Sequence, residues 1–344
     1  MNKQKRCDIE HELNHRYELV VCADRSIPLP SRASDEDWSD FRQLGWSRPD
    51  QFSSLWAEVG YVFSISMSQF MDEYLTSGFF AMVPTLIDDL ALSSISATWS
   101  AGVTSLVVSA LLLTFGRLVD MYGGPPVFMG GIAWTFIWTL LIGCTNDSRT
   151  LIVCRAMQGV GAAAHLPAGL AMLGKAYEPG QRKNVVFSIY AAMAPLESFA
   201  GILVASLALH YGHWPIFFWS GAALAFVVLM ATHLTGLWVH QTGLESDICM
   251  DWIGSISLSG SISLLVFTLT QAADASQGWR TSYIVWTGVS GIMGLLITIR
   301  VEGWVATQPL LPPTIFQVPG ITPLLFGLLL TYGAVTLFIC YATL

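Results

Sequence analysis

Residues 115–124 read Phe-Gly-Arg-Leu-Val-Asp-Met-Tyr-Gly-Gly and join two long apolar runs, 98–114 and 127–144. A short, charged, glycine-rich turn between such runs is typical of a tight loop that joins two membrane spans at one face of a bilayer. We expect Gly116 to let helices approach, and Gly123 and Gly124 to adopt backbone conformations that other residues resist. The two prolines that follow suit the start of a helix. Asp120 lies where an anion can face that helix start, or a cation such as Arg117.

The composition of the whole chain agrees with a membrane protein. Among 344 residues, 53% are hydrophobic and 12% are charged, whereas a soluble domain carries about 25% charged residues. We therefore predict an all-α membrane protein with many spans. The net charge of −8, with half of the Lys and Arg in the first 48 residues among many acids, excludes a basic surface for nucleic acid. The six cysteines are scattered, so neither a metal site nor a cofactor is predicted.

Nine apolar runs follow the polar head, each about as long as the roughly 20 residues that a helix needs to cross a bilayer. They lie near residues 57–87, 97–117, 125–144, 149–174, 184–210, 214–239, 252–271, 282–301 and 320–343. The predicted organisation starts with a disordered cytosolic tail at 1–55 and a six-helix half at 56–240. It continues with two linker spans at 241–312 and ends with the first span of an incomplete second half at 313–344.

Basic residues predict the orientation, because cytosolic loops of membrane proteins carry more Lys and Arg than outer loops. With the head in the cytosol, most of the basic loop residues fall on the inner side. The inner group is Arg117, Lys175, Arg182, Lys183 and Arg300, and the outer pair is Arg149 and Arg280. We therefore predict a cytosolic N-terminus in the plasma membrane or a vacuolar membrane.

The fourth run contains an arginine inside the membrane. On a helix, Gln158 and His165 fall almost in line, and Arg155 lies within about 80° of them. Because an intramembrane arginine costs a few kcal/mol to insert, Arg155 should face a cavity or a partner, either in proton coupling or in a structural ion pair. For His165 a hydrogen-bonded packing role is favoured over proton transfer. Gly159 and Gly161 are small enough for another helix to pack closely.

Three acids lie inside predicted spans. Glu197 is near mid-depth in the fifth run, and Asp72 and Glu73 belong to the first. An acid such as Glu197 can load and release a proton as access alternates, with Arg155 as its counter-charge if the two helices face each other. The alternative for each acid is a hydrogen-bonded helix contact without a transport role.

Two of these stretches together resemble signatures of the major facilitator superfamily of transporters. Residues 116–124, Gly-Arg-Leu-x-Asp-x-x-Gly-Gly, resemble its loop between spans 2 and 3, although positions 121, 125 and 126 lack the usual basic residues. Residues 155–163, Arg-x-x-Gln-Gly-x-Gly-Ala-Ala, resemble its span-4 signature. The arginine of that signature is associated with proton coupling, and Arg155 matches it.

The resemblance covers residues 57–344. Span 5 keeps Pro195 and Gly201 of the antiporters' Gly-Pro…Gly-Gly signature and lacks its glycine pair. Residues 251–311 resemble the two extra central spans of the 14-span drug:proton antiporter group, and residues 187–190 are similar to fungal members. The resemblance implies a helical bundle with a substrate site near mid-membrane between two halves.

We predict proton-coupled efflux of small amphipathic molecules by alternating access, with the lipid bilayer, the substrate and protons as partners. The residues predicted for proton coupling or the cavity are Arg155, Glu197, Gln158, Asp72 and Glu73. The loop at 116–124 would control the hinge without binding substrate. No enzyme is predicted, because no nucleotide loop, metal cluster or nucleophile–base pair occurs. The second prediction, from the apolar run that reaches Leu344, is a truncated non-transporting protein: an inactive paralogue, a sensor or a self-assembling half.

Overall fold

Nine α-helices make up most of the computed structural model, which describes residues 48–49, 51–235, 250–275, 278–305, 310, 313–318 and 320–343. In chain order they are α1 (Leu55–Asp89), α2 (Ser94–Tyr122), α3 (Gly124–Ile142), α4 (Ser148–Ala176), α5 (Gln181–His210), α6 (Pro215–Leu234), α7 (Trp252–Asp274), α8 (Ser282–Arg300) and α9 (Ile321–Thr343). Each predicted span corresponds to one helix, and these residues contain no strand. The all-α prediction is confirmed.

The helices begin where the sequence supplies a cap or a proline. The side chains of Ser54, Ser93, Asp147 and Asp251 accept backbone N–H groups at the starts of α1, α2, α4 and α7. Such caps satisfy donors that the first helical turn leaves open. α3 and α6 instead carry proline in the first turn, where its missing N–H costs nothing. The prediction that the two prolines after the loop start a helix is therefore confirmed.

The chain joins the bundle before α1 begins. Gln51 donates from Nε2 to the carbonyl oxygen of Ala176 at 2.8 Å. The buried ring of Phe52 lies 5.1 Å from that of Tyr61 and 6.1 Å from that of Tyr177. The predicted tail boundary at residue 55 is therefore too late. Residues 1–47 of that tail lie outside the described residues.

The first six helices form a bundle in which α1 lies between α4 and α5. α1 packs mainly against α5, and also against α4 and α6. α4 packs against α2 and α3, and α3 packs against α6 as well. α7 and α8 form a hairpin, and α7 contacts α2, where Ser259 Oγ donates to the carbonyl oxygen of Ala110 at 2.7 Å. α1 therefore connects the two sides of the six-helix bundle.

Six of the described helices, α2, α3, α5, α6, α7 and α8, are long and apolar enough to cross a membrane. α1 and α4 have 35 and 29 residues, so their length suffices, but the polar side chains within them lower their hydropathy. Among the described residues, α9 contains an apolar helical stretch at 321–334. The prediction of about nine spans agrees with the nine described helices, and α1 and α4, the two more polar helices among the first six, carry most of the candidate site.

Candidate functional site

The middle of α1 carries three half-buried polar side chains, Gln69, Asp72 and Glu73. Asp72 lies at the midpoint of the helix. It interacts electrostatically with Arg155 of α4, and both Asp72 and Glu73 interact with Glu197 of α5. α1 thus brings together residues that the sequence places on three separate spans.

Glu197 is 0% exposed. Neither of its carboxylate oxygens forms an ion pair with a described residue. The Gln69 side chain is a hydrogen-bonding neighbour of Glu197. Its Oε1 accepts from the Tyr190 hydroxyl at 2.7 Å, so its Nε2 amide group is the donor for the carboxylate. We refer to Asp72, Glu73 and Glu197, together with Gln69 and Tyr190, as the acidic cluster.

Arg155 is fully buried among α1, α2 and α3. Its Nε donates to the carbonyl oxygen of Ser100 at 3.4 Å, and its Nη1 donates to Gln158 Oε1 at 2.8 Å. Gln158 in turn donates from Nε2 to Thr139 Oγ1 at 2.8 Å. The Arg155 Cζ atom lies 4.1 Å from the centroid of the Phe79 ring, a distance at which cation–π attraction operates. Arg155 therefore has polar and aromatic partners inside the bundle.

The condition for pairing Arg155 with Glu197, that α4 and α5 face each other, is not met, because the two are not among the packed helix pairs. Arg155 acts on Asp72, whereas the neighbours of Glu197 are Gln69, Asp72 and Glu73. The reason is the position of α1, which packs against both α4 and α5 and presents its own polar side chains to each. Asp72 is the residue that interacts with both sides.

His165 is fully buried, and its ring meets that of Phe128 edge-on at 6.4 Å. The predicted packing role is confirmed. The predicted hydrogen bond is wrong, because neither ring nitrogen has a partner among the described residues.

The loop between α2 and α3 turns at a single glycine. Gly123 has φ of 90°, a conformation that residues with a Cβ rarely adopt. Gly124 is already helical, and a Cβ there would lie 2.4 Å from Met172 Cγ. A glycine is therefore required at this position by the close packing of Met172 and not by the backbone conformation. The expectation of a close helix approach at Gly116 is wrong, because a Cβ there would meet no atom within 4 Å.

Gly116 instead lines a cavity of 240 Å³ at the end of α2. Arg117 and Asp120 line the same cavity, with Pro167 of α4 and Leu310 opposite. The structure therefore places the two charged residues of the loop around one space between α2, α4 and the segment after α8. Their control of the hinge stays a prediction.

Comparison with known proteins bears on this arrangement. The profile of the Major Facilitator Superfamily matches residues 62–246, which is more than half of the chain. The chain belongs to the major facilitator superfamily. Together with the apolar helices, this membership makes it a multi-pass integral membrane protein.

Several superfamily relatives carry names that concern resistance or export. The aminotriazole resistance protein of Saccharomyces cerevisiae is 29% identical over 90% of this chain and 57% of that protein. The multidrug transporter mdr3 of Aspergillus fumigatus is 32% identical over 58% of this chain and 38% of its own length. The efflux pump terJ of Aspergillus terreus is 31% identical over 67% and 46%. The chain thus spans about half the length of these relatives.

A solved structure shows the same superfamily fold. A peptide transporter POT in complex with sulfate has a TM-score of 0.55 and 19% identity, covering 76% of this chain and 56% of that chain. At this level of identity the similarity concerns the fold alone.

Two glycines of the superfamily's span-4 signature lie where helices touch. A Cβ at Gly159 would lie 2.7 Å from the carbonyl oxygen of Thr104 in α2. One at Gly161 would lie 2.2 Å from Thr135 Oγ1 in α3. Both positions exclude a larger residue, as the packing prediction requires.

α1 and α5 of this facilitator cross at glycines from both helices. A Cβ at Gly201 would lie 2.4 Å from the carbonyl oxygen of Tyr74, and one at Gly78 would lie 2.7 Å from that of Gly201. The predicted packing role of Gly201 therefore agrees with the geometry. α5 continues through Pro195 as one helix, and the kink expected there stays a prediction.

The sequence analysis missed a buried glutamate near the start of α1. Glu58 is 4% exposed and forms an ion pair with Arg182, whose Nε donates to Glu58 Oε1 at 2.7 Å and whose Nη2 donates to Oε2. The Tyr177 hydroxyl donates to Oε1 at 3.1 Å. Burial and then the Glu58 carboxylate raise the pKa of the Tyr177 hydroxyl. We call these three residues the Glu58 clamp. The sequence offered one indication of it, an acid in the first turn of a span with a basic loop on the same side of the membrane.

Proposed function

We propose that this protein exports small amphipathic molecules in exchange for protons by alternating access. The observation that carries the proposal is Glu197, a fully buried carboxylate that forms no ion pair with a described residue. A charged group inside a membrane span is costly, so such a group is by default a functional one. The names of mdr3 and terJ support export as the direction.

In the proposed cycle, Glu197 binds a proton from one side of the membrane and releases it to the other as the bundle rocks. Its protonated form is neutral, so the cost of a buried charge is removed while the site is closed to water. Asp72 and Glu73 interact with Glu197, and the three carboxylates therefore titrate as one coupled set.

Arg155 supplies the fixed positive charge of this set. It is held by Ser100 and Gln158 and interacts with Asp72. In the proposal, Arg155 keeps Asp72 compensated throughout the cycle, and the proton exchanges at Glu197. Removal of the guanidinium would leave Asp72 without its counter-charge.

The test is transport by the full chain in proteoliposomes with an entrapped pH dye. Amphipathic compounds of each charge type are added, and substrate-dependent proton movement is measured under an imposed pH gradient. Glu197→Gln and Arg155→Ala should each abolish this coupled movement while the protein still inserts into the membrane. The matched control is Glu178→Gln, since Glu178 is exposed in the loop between α4 and α5. Normal pH-dependent flux in both variants, or no flux in any protein, would reject the proposal.

A further inference from the structure

We propose that Tyr190 and Gln69 are positioning residues for the proton exchange at Glu197. The Tyr190 hydroxyl holds the Gln69 amide so that its N–H group faces Glu197, which favours the ionised carboxylate and therefore release of the proton. This inference rests on the proposed function and assigns a task to two side chains that the proposed cycle does not use. It is carried by the hydrogen bond between two helices, the chemistry of an amide, and the burial of Glu197.

The three side chains meet where α1 and α5 pack together. Tyr190 and Glu197 are seven residues apart in α5, so they lie on the same face of that helix, two turns from each other. Gln69 of α1 lies against this face, because its Oε1 atom accepts from the Tyr190 hydroxyl at 2.7 Å. Helical side chains lean toward the N-terminus, so Glu197 is directed back toward Gln69, its hydrogen-bonding neighbour. Gln69 therefore connects Tyr190 to Glu197.

The orientation of the amide decides which form of the carboxyl group it supports. An amide has an acceptor oxygen and, on the other side, two N–H donors. Because the Tyr190 hydroxyl donates to Oε1 of Gln69, Nε2 is left for Glu197, and an N–H donor stabilises the ionised carboxylate. The opposite orientation would present Oε1, which accepts a hydrogen bond only from the protonated carboxyl group. The Tyr190 hydroxyl therefore selects the orientation that suits proton release.

The burial of Glu197 gives this single donor a large influence. Glu197 is 0% exposed and forms no ion pair with a described residue, so neither water nor a basic side chain stabilises its charge there. Hydrogen bonds to charged groups are stronger than those between neutral groups, and a low local dielectric strengthens them further. A carboxyl group that only binds protons would stop the cycle. The Gln69 amide makes its ionised form accessible.

The neighbouring charges act in the opposite sense. Asp72 and Glu73 interact with Glu197 as like charges, and like charges disfavour ionisation. The other helices that pack around the acidic cluster contribute Arg155 and His165 of α4, Tyr332 of α9, and His233 in the last turn of α6. Of these, Arg155 acts on Asp72, and Tyr332 acts on Tyr190. The donor that Gln69 presents to Glu197 is therefore opposed by the two acids of α1.

The experiment measures the protonation of Glu197 directly, without any transport. Infrared difference spectra of the full chain in membranes record the carbonyl band of protonated carboxyl groups as the pH is changed. The part of the band that Glu197→Gln removes belongs to Glu197. Tyr190→Phe should raise the midpoint of this titration by about one pH unit, because the ionised carboxylate loses its oriented donor. An unchanged or lowered midpoint would overturn the inference.

Two further variants and a control separate positioning from packing. Gln69→Leu removes the amide and should raise the midpoint at least as much as Tyr190→Phe. The double variant should match Gln69→Leu alone, because Tyr190 acts only through Gln69. The matched control is Tyr74→Phe, which removes a hydroxyl that shares a hydrogen bond with Ser220 Oγ at 2.6 Å between α1 and α6, and it should leave the midpoint unchanged. Additive shifts in the double variant, or an equal shift in the control, would overturn the inference.

Protonation and flux fail separately. The expected shifts without proton-coupled flux in proteoliposomes would reject the proposed export and leave the positioning of Glu197 standing. Proton-coupled flux, with a midpoint that Tyr190→Phe leaves unchanged, would reject this inference and leave the proposed function standing. A Glu197 band that stays the same at every accessible pH would overturn both.

Discussion

Two glutamates, Glu58 and Glu197, are both buried in the first six helices, yet their surroundings are opposite. Glu58 accepts hydrogen bonds from Arg182 and Tyr177 at the end of the bundle. Glu197 lies in the middle of α5, has no basic partner among the described residues, and has the Gln69 side chain as a hydrogen-bonding neighbour. The Glu58 clamp therefore resembles a structural ion pair, whereas Glu197 in the acidic cluster has no such partner and can still bind a proton.

The comparison teaches that burial of an acid does not by itself reveal its role. When its partners are complete, loss of one partner exposes the cost of a buried charge. When partners are missing, that cost is already present in the native protein, and removing the charge relieves it. Substitutions at the two sites should therefore change the free energy of unfolding in opposite directions.

The largest effect is expected at the clamp. Arg182→Leu leaves Glu58 buried without its cation and should lower the free energy of unfolding by about 3 kcal/mol, the lower end for such pairs because Arg182 is partly exposed. Unfolding of the purified protein in mixed micelles measures it. The exposed Arg149→Leu serves as a control and should change little. The double variant Glu58→Gln with Arg182→Leu should recover part of the loss; no recovery would mean that Arg182 acts through packing alone.

A smaller effect is expected at Tyr177. Tyr177→Phe removes one of the hydrogen bonds to Glu58 and should cost about 1 kcal/mol. Because the pKa of the Tyr177 hydroxyl is raised in the folded protein, its contribution to stability is complete below the ordinary pKa of about 10 and is lost as the pH rises through the folded value. The variant should therefore lose less stability than the parent above that pH. Parallel pH curves for the two proteins would contradict this assignment.

At Glu197 the sign should reverse. Glu197→Gln replaces a buried carboxyl group, whose ionised form has no basic partner among the described residues, by a neutral amide, so we expect the stability to be unchanged or higher by about 1 kcal/mol. The same micelle measurement gives the value, with Glu178→Gln as the matched acid-to-amide control. A loss as large as that of Arg182→Leu would show that Glu197 has structural partners after all.

The smallest effect on stability is expected at Asp120, an exposed acid that belongs neither to the Glu58 clamp nor to the acidic cluster. Asp120 is exposed at the edge of the loop cavity, so Asp120→Asn should leave the free energy of unfolding within about 0.5 kcal/mol. It should slow the conformational exchange without changing substrate preference. Flux measured over a series of substrates tests both, and an altered preference would argue for a binding role.

Most of the fold could be predicted from the sequence, because membrane spans and loops are local features. The predicted run 282–301 corresponds to α8, Ser282–Arg300, and the run 125–144 to α3, Gly124–Ile142. Apolar runs set helix lengths, and glycine, proline and capping residues set their ends. Phe52 escaped this reasoning, because its burial depends on rings contributed by α1 and by the loop after α4.

The site could be predicted only residue by residue. The cost of an intramembrane charge singles out Arg155, Asp72 and Glu197 wherever their helices pack. Helical periodicity gives the angle of each side chain on its own helix, but not the helix that lies opposite. For this reason the pairing of Arg155 with Glu197 could be predicted only on the condition that their helices face each other. Glu58 was missed for the same reason, since its partners follow α4.

The crossing of α1 and α5 at Gly78 and Gly201 has a mechanical consequence. The Glu58 clamp, with its ion pair between Glu58 and Arg182, is a second contact between the same two helices. Between these two contacts the segments of α1 and α5 have nearly equal length, about 30 Å at 1.5 Å per residue. Asp72, Glu73 and Glu197 all lie between these two points. Two helix segments joined at both ends move as one rigid unit, so rocking of the bundle would move the three carboxylates together and preserve the distances between them.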